Sequence, residues 1–360
     1  MKKIDAYIIK NFLLTFFFIL GVLMLIACVF DYTEKMDDFT ERNAPIWGLL
    51  FDYYKNFVIF YANMFSPLLI FISVIIFTSK MAARTEIVAI LSSGVSFYRY
   101  LWPYFLASTF LVILSLAFNH YAVPHANKTR IAFEESYFKI AFRNHDKEIH
   151  KKIGKNELIY FESYNAQSDI GYKFSLEHWD GNGALSFKIR SDYAQYDTIK
   201  QKWTIHNYIK RHINGEEEWV EKGFEMDTAI NLHPNEFERR LEYTTQMMTT
   251  PELNEYIELE KKSGSENIAH HLIEKYKRTA LPFSTFVMVL IGVSISSRKV
   301  RGGVGAHLAF GLLVAVSYVF MDRVATVYAL NAGLSPLLAS WIPNFIYGIL
   351  ALYIFRLAPK

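Results

Sequence analysis

The chain has 360 residues with 38 basic and 35 acidic side chains, a net charge of +3, and hydrophobic and aromatic shares of 52% and 16% that exceed the ordinary soluble range. So small a net charge argues against nucleic acid as a partner, and the single cysteine, Cys28, excludes an intramolecular disulfide or a cysteine-built metal cage. The charges are unevenly placed: 21 of the basic and 26 of the acidic residues fall between Ala122 and Lys275, so a mean hydropathy of +0.13 averages a very apolar part with a water-facing one, as in a membrane protein with one large aqueous domain.

Crossing the hydrocarbon core takes about 20 apolar residues, and six uncharged windows of that order occur. They run Phe12–Phe30, Phe57–Phe77, Leu101–Tyr121, Thr279–Ser296, Gly303–Met321 and Pro336–Phe355. Leu25-Ile26-Ala27-Cys28 matches a lipoprotein signal box. Its apolar run is longer than a signal core and five more spans follow, so Cys28 reads as a buried apolar residue. The segment Asp31–Asn56 reads as an acidic loop, with Asp31, Glu34, Asp37, Asp38, Glu41 and Asp52 against Lys35, Arg42 and Lys55. After the second window, Arg84-Thr85-Glu86-Ile87-Val88-Ala89-Ile90-Leu91-Ser92-Ser93-Gly94 predicts a short amphipathic helix. Ile87, Val88, Ile90 and Leu91 form its apolar face, Arg84 and Glu86 a charge pair in its first turn, and Gly94 its stop. By itself such a helix is equally an interfacial element lying on the bilayer and a docking element.

Lysine and arginine in the short loops set the orientation. Lys2, Lys3 and Lys10, then Lys80, Arg84 and Arg99, then Arg298, Lys299 and Arg301, and finally Arg356 and Lys360 all lie on one side, which is therefore cytoplasmic. The charged block lies outside. Its first part, Val123–His150, predicts a helix with Ile131, Phe133, Phe138, Ile140 and Phe142 as its apolar residues. From Gly154 the period becomes two: 157–162, 172–178, 184–189 and 202–209 alternate and are separated by Asp180-Gly181-Asn182-Gly183 and Asn214-Gly215 turns. That pattern predicts a β-sandwich, jelly-roll or open barrel, with Ile159, Phe161, Phe174, Leu176, Phe187 and Ile189 facing its interior. Thr250-Pro251-Glu252-Leu253 predicts a helix with Thr250 as N-cap, and 266–276 a second helix leading into the fourth span. The domains expected are 1–121 with three spans and a cytoplasmic helix at 82–94, 122–275 as the external β domain with flanking helices, and 276–360 with three spans.

The chemistry expected is thin. The span windows carry no Asp, Glu, Lys or Arg, and His307 is read as a packing residue rather than a relay. There is no GxxxxGK[ST] phosphate loop and no GxSxG elbow. His270 and His271 lack an i, i+4 partner for a metal, so no metal, cofactor or catalytic residue is expected.

Several motifs together resemble the LptF/LptG family. They are Ile4-Asp5-x-Tyr7 before the first span, Glu86 to Ser96 (EIVAILSSGVS), Thr250-x-Glu252-Leu253, Arg278-x-Ala280-x-Pro282-Phe283, and Ser297, Arg298 and Gly302. Within the family, Asp31 to Phe39 (DYTEKMDDF) is more similar to LptG than to LptF. The resemblance implies a non-catalytic permease subunit of an ABC transporter that extracts lipopolysaccharide from the bacterial inner membrane. It implies as partners two copies of a cytoplasmic ATPase of LptB type, a paralogous permease subunit, and a periplasmic bridge protein of LptC/LptA type. It further implies an ATPase-coupling surface of Arg84, Glu86, Ile87, Ile90, Leu91 and Gly94. A lipid cavity between the first and fifth spans would involve Phe18, Met24, Leu25, Lys35, Phe310 and Val314, and a jelly-roll interior would pass the lipid on. Where some members carry basic residues at the outer end of span one, this chain has only Lys35 among four acids. The alternative function is a membrane-anchored periplasmic scaffold or receptor without transport.

Overall fold

A computed structural model describes residues 3–138, 147–154, 156–165, 168–181, 183–198, 200–215, 217–228, 230, 232, 241–263, 265, 267–300 and 303–358. The chain divides into two compact units. One comprises Met1–Phe138, Gln246–Leu253 and Ala269–Lys360; the other comprises Lys139–Thr245 and Asn254–Ile268.

The first unit is helical. In chain order the helices of the whole chain are α1 (Lys3–Glu41), α2 (Ile46–Ala83), α3 (Glu86–Ser92), α4 (Phe97–Tyr137), α5 (Leu241–Gln246), α6 (Thr250–Ser263), α7 (Ile268–Ser296), α8 (Gly303–Asn331) and α9 (Pro336–Arg356); α5 up to Thr245 and α6 from Asn254 belong to the second unit. Of these, α1, α2, α4, α7, α8 and α9 are each long and apolar enough to cross a membrane. The sixth span begins at Pro336, with Ser335 as its N-cap, where proline at the first helical position was expected.

The helices outrun the hydropathy windows because local hydrogen bonds carry them past the hydrocarbon. The expected loop at Asp31–Asn56 is corrected: α1 continues to Glu41, and the chain re-enters a helix at Ile46. Lys35 pairs with Asp31 one turn back at 2.6 Å, and the Thr33 and Thr40 hydroxyls donate to the carbonyls of Phe30 and Met36. Acidic and threonine side chains that suggest a loop thus serve a solvated helix end. Two π-helical turns, Leu49–Tyr54 in α2 and Phe118–Ala122 in α4, lie within otherwise α-helical spans.

Packing centres on α2 and α7. Phe12 and Phe16 of α1, Ile70 and Val74 of α2, Tyr100 and Tyr104 of α4, and Val289 and Val293 of α7 belong to one buried cluster. Phe71 and Ile75 of α2 join Met288 and Ile291 of α7, Val314 and Tyr318 of α8, and Tyr347 of α9 in a second. Gly311 lets α8 approach: a Cβ there would lie 2.3 Å from the Ile75 Cδ1 atom.

The second unit holds one antiparallel sheet of seven described strands: β1 (Lys147–Lys152), β2 (Glu157–Asn165), β3 (Ile170–Tyr172), β4 (Ser175–Trp179), β5 (Leu185–Asp197), β6 (Lys202–Asn214) and β7 (Glu217–Thr228). Strands β3 and β4 share one slot between β2 and β5, and β6 and β7 follow. Of the three β architectures the alternation admitted, the described strands form a single continuous sheet. Both expected turns are present, with Gly183 and Gly215 at φ of 81° and 65°, a region glycine enters without steric cost; Asn182 lies outside the described residues.

Simple alternation holds only until a bulge. Asn207 has φ of 52° and donates to the Asp192 carboxylate at 3.0 Å, and between these two positions both strands change parity. Hence Ile189 and Ala194 of β5 are buried together, as are Ile205 and Tyr208 of β6. The expected helix Val123–His150 is also corrected. Helix ends at Tyr137, where Phe138 turns extended. Ile140 and Phe142 lie outside the described residues, and Lys147–Lys152 is a strand, because pairing with β2 satisfies its backbone and sets Ile149 opposite Phe161.

Candidate functional site

Three regions correspond to the expected site, and each is built differently. The first is α3. It is bounded by left-handed residues, Thr85 (φ 60°) before it and Gly94 (φ 85°) after it, and its end is closed by bonds from the Ser93 and Gly94 amides to the carbonyls of Ala89 and Leu91. Ile87 is 1% exposed, and Ile90 and Leu91 pack half-buried against the cluster shared by α1, α2 and α4. The expected apolar face is therefore corrected in two respects. Val88 points away from it, 62% exposed, because it is rotated about 100° from Ile87. Ile87 cannot contribute docking surface, since it anchors the helix to its own bundle. What α3 presents outward is Arg84, Val88, Ala89, Ser92, Ser93 and Gly94, with Glu86 at the margin. The Glu86 carboxylate accepts a hydrogen bond from the Tyr7 hydroxyl of α1 at 3.1 Å and lies 3.8 Å from the Arg84 guanidinium. A second tie is half-buried: the buried Asp5 pairs with Arg99 of α4 at 2.7 Å.

The second region is the outer surface of α1 and α8. Leu14, Phe18, Val22, Leu25, Val29, Tyr32 and Met36 are all exposed and recur every three or four residues, so they form one apolar stripe along the whole helix. Phe310 is exposed on α8 together with Leu313, Val316 and Phe320. Met24 and Val314, at 4% each, turn instead into their own bundle, which corrects their expected place on a cavity wall. Lys35 is also occupied: it pairs with Asp31, donates to the Tyr53 hydroxyl at 2.6 Å, and lies over the Phe138 ring at 4.8 Å. Tyr53 and Tyr54 hydroxyls donate to the same Asp31 carboxylate. Asp31 at this end of span one thus neutralises its lysine.

The third region is the apolar face of the sheet. The structure brings all six expected residues together: Ile159, Phe161, Phe174, Leu176 and Ile189 are buried in one cluster, with Phe187 packed half-buried against it. Sequence reasoning missed the centre of that cluster. Trp203 is fully buried, donates its indole N–H to the Leu232 carbonyl at 2.9 Å, and packs on Phe161. It lies before Asn207 in β6, so period-two counting back from Tyr208 through the bulge assigns it the wrong face.

A polar junction in the first unit was also missed, although its residues lie in the quoted motifs. The Thr250 hydroxyl sits 2.7 Å from Nδ1 of His120 and accepts from Arg278 at 3.4 Å, so the start of α6 is tied to α4 and α7. The cap itself is one residue earlier than expected. Thr249 donates its backbone N–H and hydroxyl to the Glu252 carboxylate at 2.7 and 2.8 Å, the reciprocal half of a capping box. Thr250 is freed from capping by that shift. At the far end of α7, His307 Nε2 donates to the Arg298 carbonyl at 3.0 Å, and Ser297 donates to the Val293 carbonyl. His307 thereby closes the α7–α8 connection; Arg301 and Gly302 lie outside the described residues.

Comparison with protein families finds that the model described as lipopolysaccharide export system permease LptF/LptG matches residues 6–357. That span takes in both units, and its description covers either subunit type. No curated protein matches the chain.

Proposed function

Since the chain belongs to the LptF/LptG family of lipopolysaccharide export permeases, we propose that it is the non-catalytic membrane subunit of an ABC-type extractor in the bacterial inner membrane, with both termini cytoplasmic and the sheet unit in the periplasm. A cytoplasmic ATPase of LptB type docks on α3. Lipopolysaccharide is taken up along the apolar stripe of α1 and the exposed face of α8, opposite a paralogous permease subunit, and passes by way of the sheet unit to a bridge protein of LptC/LptA type. The distribution of lysine and arginine supports the orientation.

The observation that carries the reading is the Tyr7–Glu86 hydrogen bond. It joins the exposed cytoplasmic helix to the start of α1, the same rigid helix that bears the unpaired apolar stripe. A push on α3 is therefore delivered to the lipid-facing element without a flexible link between them. In this reading Arg84, Glu86 and Gly94 meet the ATPase, while Ile87, Ile90 and Leu91 hold α3 to the bundle.

The test is Glu86→Lys in the full chain. It removes the acceptor of the Tyr7 bond and reverses the exposed charge without touching a span. Co-purified ATPase should fall roughly tenfold, a loss of about 1.4 kcal/mol, with membrane insertion unchanged. Undiminished ATPase recovery together with undiminished lipopolysaccharide export would overturn the assignment.

A further inference from the structure

The sheet has a second face, opposite its buried apolar cluster, and that face carries a cleft of ≈ 440 Å³. Strand register explains its lining. His150 of β1 pairs with Tyr160 of β2, Tyr160 with Ser175 of β4, and Ser175 with Arg190 of β5. Directly paired residues project to the same side, so these four form one row across the strands, roughly 14 Å long at the usual strand separation. All four line the cleft.

Two features separate this row from an ordinary solvated face. Ser175 is nine-tenths buried, and its hydroxyl has no hydrogen-bond partner among the described residues, although a buried hydroxyl ordinarily finds one. Charge is also left over. Lys188 pairs with Glu177 and Lys173 with Glu162, which neutralises the other two cations of the cleft. Arg190 has no carboxylate partner among the described residues. The His150 and Tyr160 rings lie 4.7 Å apart between centroids and give one end of the row a flat aromatic wall.

We propose that this row is a binding site for an anionic saccharide, a sugar ring carrying a phosphate or a carboxylate. The Ser175 hydroxyl and the Arg190 guanidinium take the anion as a neutral and a charged donor side by side. Tyr160 and His150 cover the apolar face of the ring. The site lies across the sheet from the cluster through which lipid transfer was inferred, and it stands or falls independently of that reading.

The test uses the full chain in nanodiscs with glucose 1-phosphate, glucose and inorganic phosphate as probes, read by saturation-transfer NMR. Glucose 1-phosphate should bind saturably, more tightly than inorganic phosphate, and glucose should not bind. Arg190→Gln should weaken binding at least tenfold and Ser175→Ala at least fivefold. Neither substitution removes a side-chain bond among the described residues, so the sheet unit's protease resistance should be unchanged. Displacement of the probe by lipopolysaccharide assigns the sugar to a lipid headgroup, and failure to displace assigns it to a soluble saccharide; saturable binding supports the site in both cases. No saturable binding, equal binding by inorganic phosphate, or indifference to both substitutions overturns it. ATPase recovery by the Glu86→Lys variant reports on the transport reading alone, which keeps the two failures apart.

Discussion

Gly171 has no room for a methyl group: a Cβ there would lie 2.1 Å from the Phe161 ring. That ring is fully buried between Phe174 and Trp203 and cannot step aside without displacing both. Gly171→Ala should therefore destabilise the sheet unit by about 1–3 kcal/mol, the usual cost of overpacking a core. Limited proteolysis across a temperature series measures this, and an unchanged midpoint would contradict the packing described. At the same scale Lys35 shows how neighbours decide what a charge can do. In sequence it is a lone cation available to a phosphate; in the fold its charge is met by Asp31 and its ammonium by the Tyr53 hydroxyl.

At the scale of elements, α3 depends on its two left-handed ends. Gly94 adopts φ of 85° and Thr85 φ of 60°, and a side chain in that region costs about 1–2 kcal/mol. Gly94→Val should loosen the end of α3, raising its amide exchange and lowering ATPase recovery, whereas Thr85→Gly should slow exchange or leave it unchanged. Opposite responses at the two ends are the diagnostic result; equal loosening by both would mean that the backbone conformation is not what holds the helix. The start of α6 gives a pH dependence. Hydrogen bonds from the Thr249 backbone and hydroxyl hold the Glu252 carboxyl below the usual carboxylate range. A depressed folded-state value contributes stability that is present above the ordinary carboxylate range and is lost as pH falls through the lower, folded value. Protection of the first-turn amides of α6, corrected for intrinsic exchange, should decline over that acidic interval. In Glu252→Gln it should stay flat, since the amide oxygen still accepts but does not titrate there.

For the whole molecule the outcome turns on which apolar surfaces face outward. Photo-crosslinkers at Phe18, Leu25 and Phe310 should capture lipopolysaccharide in membranes, while those at Met24 and Val314 should yield crosslinks within the chain, because the first three are exposed and the last two are buried. Lipid capture at Met24 and Val314 alone would mean that the wall of the cavity is turned the other way. Within the sheet unit, Phe161→Asp places a carboxylate in a fully buried apolar site, a cost of several kcal/mol. The unit should lose its protease resistance while the six spans remain inserted. A folded sheet unit that merely fails to pass lipid would show instead that the cluster opens as a trough.

The spans, their number and the inserted sheet were determined by the sequence itself, because water and hydrocarbon sort residues by composition over about 20 positions and strands announce themselves by parity. Ile159, Phe161, Phe174, Leu176 and Ile189 were legible on one face for the same reason. What composition does not encode is where two distant groups meet. The helical run of α1 past Phe30 rests on the Asp31–Lys35 pair and its tyrosines, and the burial of Trp203 on a bulge set by Asn207 and Asp192. The inward turn of Ile87, the meeting of Thr250 with His120 and Arg278, and the Tyr7–Glu86 tie all join residues far apart in the chain. Those contacts follow from how packed helices and paired strands present their faces to one another, and only the tertiary structure decided them.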